Sequence, residues 1–326
     1  MMRITLNEEL PKKMDINAAA KHSAALIRHI FENAPKDIRP ITEHIAKAPG
    51  KGVRSSLLFA AALDESNEVP RETILAAAAI ELFHLATLVH DDIIDNAKTR
   101  RGIQSVHSRF GKKEAVICGD YLFCVAFSAI STIYEPYAKF IQKFASTISQ
   151  VCLGELRQHS NNCNTNINFY EYLRIIHGKT AVLFYISAYG GALMAESTES
   201  DAKKIAKFGT YCGMIFQIID DCKDYVLDDS EALKPTKSDL ATGVINMPLL
   251  MAYLKEPALR KVPFDAKKLL YDVNRLNGVA GSLDIAKKYS KKARDILCTI
   301  PNKKKSAALE RLLQEQLLFF DKIGAP

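Results

Sequence analysis

The spacing of apolar residues constrains this fold more than any other feature of the chain. They recur every three or four positions through 18–30, 75–94, 116–130, 140–153, 182–194, 205–226, 285–297 and 308–320, the period of helices that each bury one face. Strand-like alternation between turn pairs is almost absent. Boundaries carry helix punctuation instead: Pro70 precedes a long run, and Thr198 with Asp201 forms a capping box. We expect an all-α fold of about a dozen helices. No repeat of fixed period, low-complexity tract or linker-like segment interrupts the pattern, so residues 1–326 are expected to form a single domain. Segments 48–53, 98–104, 160–168 and 228–246 lose the helical period and are expected to be loops.

Composition narrows the class. A chain of 326 residues that is 48% hydrophobic and 25% charged is an ordinary globular protein, neither disordered nor fibrous. The longest apolar candidate, 182–195, is broken by Ser187, Gly190 and Gly191 and falls short of the roughly 18 residues a membrane span requires. Asn7, Glu8, Glu9, Lys12 and Lys13 interrupt any signal-like stretch, so a soluble, cytoplasmic protein is expected. Seven cysteines without C-x-x-C spacing suggest reduced thiols and no zinc site. The net charge of +7 comes partly from solvated runs such as Lys303-Lys304-Lys305, and it does not imply nucleic acid.

Two acidic clusters carry the chemistry. His90-Asp91-Asp92-Ile93-Ile94-Asp95 closes the helix that starts near Pro70. At about 100° per residue, Asp95 lies about 40° from Asp91 and His84 about 20° away on the other side. Carboxylates near a helix C-terminus oppose its dipole and repel each other, by a few tenths of a kcal/mol or more each. A cation should compensate, and oxygen-only ligands in pairs suit Mg²⁺. A second cluster, Asp220-Asp221-Cys222-Lys223-Asp224, repeats the D-D-x-x-D spacing inside another apolar helix. One such cluster could be a solvated face. Two on buried-type helices point to a cavity filled by metal and an anionic substrate. Cations for phosphate are available in Lys51 and Arg54, in Arg100-Arg101, and in His177-Gly178-Lys179-Thr180.

With these motifs in order the chain resembles the trans-isoprenyl diphosphate synthases, which include farnesyl, geranylgeranyl and longer polyprenyl synthases. Asp91 to Asp95 followed by Arg100-Arg101-Gly102 resembles the family's first aspartate-rich motif, and Phe216-Gln217-Ile218-Ile219 leading into Asp220 to Asp224 resembles the second. Gly50-Lys51-Gly52-Val53-Arg54, Gly119-Asp120-Tyr121-Leu122 and Lys179-Thr180 resemble three further family segments. The resemblance implies a helical bundle around a central cavity, a homodimer, and condensation of isopentenyl diphosphate with an allylic diphosphate to an all-trans product. It implies Mg²⁺ as cofactor, three ions, with Asp91, Asp95 and Asp220 as main ligands. Asp92, Asp221 and Asp224 would be ligands or hold metal-bound water. Arg100, Lys179 with Thr180, and Gln217 would contact the allylic substrate, and Lys51, Arg54, His84 and Arg101 would bind isopentenyl diphosphate. Membrane contact would be at most peripheral, through the lipophilic product.

The chain also departs from the family. Gly243-Val244-Ile245-Asn246-Met247-Pro248 stands where many members have G-K-x-T-L-P, so a phosphate-contacting lysine is missing at Val244, and Lys234 or Lys237 could substitute. In the family, large residues four and five positions before the first aspartate stop chain growth early. Here they are Thr87 and Ala86, both small, which leaves Phe83 as the next candidate floor and implies a C20 or longer product, with C30 to C35 favoured. Three rival readings are a class I terpene cyclase, which pairs a similar first motif with an Asn/Ser/Glu site, a non-catalytic partner, and a catalytic subunit that needs a different partner chain.

Overall fold

The computed structural model describes residues 9–226, 240, 242–261 and 264–323. Its elements run β1 (Lys13–Met14), α1 (Ile16–Glu32), α2 (Arg39–Ala46), α3 (Val53–Ala62), β2 (Val69–Pro70), α4 (Thr73–Ile94), β3 (Thr99–Arg100), β4 (Ile103–Gln104), α5 (Val106–Phe110), α6 (Lys112–Ser131) and α7 (Tyr134–Ser160). There follow α8 (Phe169–Ile176), a π turn (His177–Ala181), α9 (Val182–Met194), α10 (Glu199–Val226), α11 (Met247–Lys255), a 3-10 turn (Pro257–Lys261), α12 (Ala266–Arg275), α13 (Gly278–Leu297) and α14 (Lys303–Ile323). The all-α expectation holds, and the four two-residue strands form two minimal antiparallel pairs, β1 with β2 and β3 with β4.

Each long helix grows from its expected apolar run, and side-chain caps fix several starts. Asp15 accepts from the N–H groups of Asn17 and Ala18 ahead of α1. Thr198 accepts from the Asp201 N–H at 3.2 Å and donates to the Asp201 carboxylate at 2.8 Å, as the capping-box reading requires. The short helices α2, α3, α8, α11 and α12 were not legible, because eight to ten residues give too few turns to establish a period. Two expected loops need correction. Segment 98–104 contains the β3–β4 pair, and Val53 already begins α3. Of segment 228–246, residues 228–239 and 241 lie outside the described residues.

The contacts fall into two compact units, each assembled from separate stretches of sequence. The first comprises Met1–Lys143, Ser187–Ile205 and Pro301–Ala308. Its axis is α4, where every residue from Thr73 to Ile80 is buried and the run Ala76 to Ala79 lets neighbouring helices approach closely. Helices α6, α3 and α1 pack against it. A methyl group on Gly191 would sit 2.1 Å from the Leu58 carbonyl oxygen, so only glycine allows that approach. The second unit comprises Phe144–Ile186, Ala206–Ile300 and Leu309–Pro326. Phe144, Phe184, Phe208, Ile215, Leu249 and Tyr253 are buried in it, each such side chain contributing about 1.5–3 kcal/mol. Helix α11 packs on α13, and a methyl on Gly278 would meet the Pro248 carbonyl oxygen at 2.3 Å.

The expectation that no run is long enough to span a membrane is corrected by two helices. By length and composition both α4 and α6 could cross one. In α4, 67% of the most apolar window is buried in protein, as a core helix requires, whereas in α6 the figure is 44%.

Candidate functional site

In the first unit the acidic motif divides into two kinds of carboxylate. Asp92 is 3% exposed and is gripped by the Arg100 guanidinium, whose Nε donates to Oδ1 at 2.8 Å and whose second nitrogen also reaches that oxygen. Its backbone carbonyl accepts from the Ala97 N–H at 2.9 Å. Asp91 is half-buried and Asp95, the C-cap of α4, is exposed. One helical turn separates them, so both carboxylates point the same way while Asp92 turns into the protein. His90 donates through Nε2 to the Val116 carbonyl of α6 at 3.1 Å, and a methyl on Gly119 would lie 2.1 Å from that nitrogen. The glycine of the Gly119-Asp120 segment therefore lets α6 close on the motif helix.

Three arginines of this unit lie around His84. Burial holds the His84 imidazole well below its ordinary pKa, and the charges of Arg54, Arg101 and Arg100 add to the effect. His84 is thus neutral among three guanidinium groups. Arg101, in a left-handed conformation with φ 50°, lays its guanidinium over Gly50 and donates to the Ala48 carbonyl at 3.2 Å. Lys51 beside it is exposed, and Arg54 is buried on the first turn of α3. Glu81 accepts from the Ser55 N–H at 3.1 Å, fastening the start of α3 to α4. The chain-length candidates lie on the same helix. Phe83 and Ala86 are buried, Thr87 donates to the His84 carbonyl, and the Phe83 ring packs 5.2 Å from Phe123 of α6. Phe83 therefore packs against a neighbouring helix.

The second unit repeats the division. Asp221 is 4% exposed and accepts from the Tyr172 hydroxyl, from the Met247 N–H at 3.0 Å and from Gln217 Nε2 at 2.9 Å. The Thr180 hydroxyl in turn donates to Gln217 Oε1. Side chains assigned to substrate contact by resemblance, Thr180 and Gln217, here form a relay that fixes Asp221. Asp220 and Asp224 are partly exposed, and Lys223 donates to Asp220 at 3.2 Å. Cys222 is fully buried and its thiol is pushed up by burial, as packing rather than chemistry requires. Asn246 caps α11 and accepts from the Tyr225 hydroxyl at 2.7 Å. Val244 is half-buried, and the candidate substitutes Lys234 and Lys237 lie outside the described residues.

Lys179 sits on the π turn, an irregularity common at functional positions, and donates to Glu155 of α7 at 3.0 Å. A methyl on Gly154 would lie 2.4 Å from the Lys179 backbone nitrogen, so α7 touches the turn directly. Sequence reasoning missed Glu155, Tyr172 and the capping role of Asn246. The glycine that directly follows the apolar run 140–153 was the available signal for the first.

Among the described residues no three His, Cys, Asp or Glu side chains lie close enough to hold a metal ion by themselves. The oxygen-only pairs Asp91/Asp95 and Asp220/Asp224 do fit Mg²⁺, which takes one or two carboxylates and leaves its other positions to water and phosphate.

Comparison with known proteins adds four findings. The family model described as Polyprenyl synthetase matches residues 35–267. The chain is 31% identical over 275 residues to heptaprenyl diphosphate synthase component 2 of Bacillus subtilis, covering 82% of this chain and 78% of that one. Among solved structures, a heptaprenyl diphosphate synthase from Staphylococcus aureus superposes with a TM-score of 0.87 at 26% identity, over 94% of this chain and 98% of the other. A Caulobacter crescentus polyprenyl synthase complexed with calcium and isoprenyl diphosphate gives 0.81 at 27% identity, over 91% and 93%.

Proposed function

The chain belongs to the polyprenyl synthetase family, and on that premise we propose how its residues carry out the reaction. It is a trans-polyprenyl diphosphate synthase, a prenyltransferase that condenses isopentenyl diphosphate with an allylic diphosphate to a product of C20 or longer. The observation that carries the residue assignment is the shared division of the two motifs. In each, the second aspartate is buried and occupied by protein donors, and the first and fifth remain toward solvent.

Asp91, Asp95, Asp220 and Asp224 accordingly serve as ligands of Mg²⁺, three ions in the family's pattern, and Asp92 and Asp221 set the direction of their neighbours. Magnesium held there would neutralise the charge that develops on the diphosphate as the allylic C–O bond breaks. Lys179 adds a positive charge at the leaving group. Lys51, Arg54, Arg101 and neutral His84 hold isopentenyl diphosphate, the imidazole donating a hydrogen bond without adding to the crowd of like charges. The alkene of that substrate attacks the allylic carbon, a C–C bond forms, and a proton leaves to the departing diphosphate. Holding the two substrates together supplies the effective concentration.

A homodimer in the cytoplasm is the assembly we favour, with one domain per chain, since the family match begins in the first unit and ends in the second. Val116, Ile117 and Phe127 of α6 are 44%, 63% and 38% exposed, apolar surface that a second subunit would cover. A separate partner chain is the second reading, supported by the relative named as a component. Both are tested by incubating the purified chain alone with Mg²⁺, isopentenyl diphosphate and each allylic primer, then separating the dephosphorylated products. Elongation by a dimer supports the first reading, a folded but inert chain rescued by a different subunit supports the second, and no product under any condition refutes the transferase.

A further inference from the structure

Glu155 has no part in the reaction as described, yet its carboxylate lies 3.0 Å from the Lys179 amine, with both side chains about one quarter exposed. The pair is held from both sides. Gly154, next to Glu155, touches the π-turn backbone so closely that any β-carbon would collide with it, and a β-carbon added at Gly178, next to Lys179, would lie 3.1 Å from the Gly154 Cα. The close approach of α7 and the π turn thus roots the two side chains beside each other, where the carboxylate pairs with the amine.

We infer that Glu155 makes diphosphate binding at Lys179 depend on the divalent metal. The inference rests on the proposed role of Lys179 at the allylic diphosphate. In the ligand-free chain the carboxylate neutralises Lys179, so a bare pyrophosphate meets a neutral pair instead of a cation. Any phosphate oxygen that displaces the carboxylate must then stay within a few ångströms of it, where like charges at reduced dielectric repel strongly. A metal-complexed diphosphate brings its own positive charge and escapes most of that repulsion. Glu155 therefore acts through Lys179 as a positioning residue that admits the magnesium complex and rejects the free anion, which excludes abortive binding of metal-free diphosphates.

The test is titration calorimetry of the full chain with inorganic pyrophosphate, once in excess Mg²⁺ and once in EDTA. For Glu155→Gln, which keeps the packing of the side chain, affinity in EDTA should rise at least about tenfold, and affinity in Mg²⁺ should change less than about threefold. Glu155→Asp, which draws the carboxylate back by one methylene, should move in the same direction by less. In a Lys179→Gln background, Glu155→Gln should lose its effect, which separates this site from pyrophosphate held by Lys51, Arg54 and Arg101. Equal gains in both conditions, no gain in either, or a gain that persists without Lys179 would each overturn the inference. Failure of the unaltered chain to bind magnesium pyrophosphate would overturn the transferase reading first, and this one with it. A purely structural Glu155 would shift the melting temperature of the free protein and leave the ratio of the two affinities unmoved.

Discussion

Neighbouring aspartates of the second motif should respond to substitution in opposite ways, and Asp221 gives the sharper case. Its carboxylate satisfies three donors: the Tyr172 hydroxyl, the buried N–H of Met247 at the start of α11, and Gln217 Nε2. Asp221→Ala strands all of them. A buried donor left without a partner costs about 1–3 kcal/mol. The Tyr172 and Gln217 side chains can turn toward other partners, but the Met247 N–H cannot, because Asn246 is already engaged with Tyr225. We therefore expect a loss of about 3–5 kcal/mol, the range for breaking a buried charged network. Asp221→Asn retains an acceptor for Tyr172 and Met247, while Gln217 can flip to present its oxygen to the new amide and its nitrogen to Thr180. That variant should lose only about 1 kcal/mol, one net hydrogen bond. Asp220 is 46% exposed and, among the described residues, forms its one ion pair with Lys223, so Asp220→Ala should change stability by less than about 1 kcal/mol while lowering turnover by orders of magnitude. Urea unfolding followed by circular dichroism, together with steady-state kinetics, measures both properties. Equal stability of Asp221→Ala and the unaltered chain, or near-normal turnover in Asp220→Ala, would refute the division of the motif.

Three further outcomes follow from the first unit and the π turn. The folded chain holds His84 neutral below its ordinary value of 6.5, so the unfolded chain takes up the proton first. Stability should be full above about pH 6.5 and fall with acidification below it, and His84→Gln should flatten that slope in urea titrations between pH 8 and 5. An unchanged slope would show that His84 is not the group. Ala86→Tyr should shorten the product toward farnesyl diphosphate, whereas Phe83→Ala, whose ring packs against Phe123 of α6, should leave the product length unchanged. Chromatography of the products decides, and an unchanged distribution in Ala86→Tyr would end the tunnel reading along α4. Gly154→Ala drives a methyl group into the backbone of the π turn at 2.4 Å. It should cost about 1–3 kcal/mol of stability and depress turnover through Lys179, as read by thermal unfolding beside kinetics, and normal turnover would detach the turn from the site.

Local chemistry fixed much of this protein before any coordinates. Helical period named the long helices, Thr198 and Asp201 marked the start of α10, and paired carboxylates one turn apart pointed to the candidate site, because each of these depends on residues a few positions apart. Short helices such as α8 and α11 escaped, since their stability comes from packing and not from period. Tertiary structure alone separated Asp92 from Asp91 and Asp221 from Asp220. The donors that make the difference, Arg100, Tyr172 and the Met247 N–H, are 8, 49 and 26 residues away and approach only when their helices pack. The same holds for Phe83, whose partner Phe123 lies on another helix, and for Glu155, which reads as an ordinary helical surface residue until α7 meets the π turn and brings its carboxylate to Lys179. Spacing along a chain can say which residues share a face, but the environment that each face meets is a property of contacts between distant segments, and those arise only in the folded molecule.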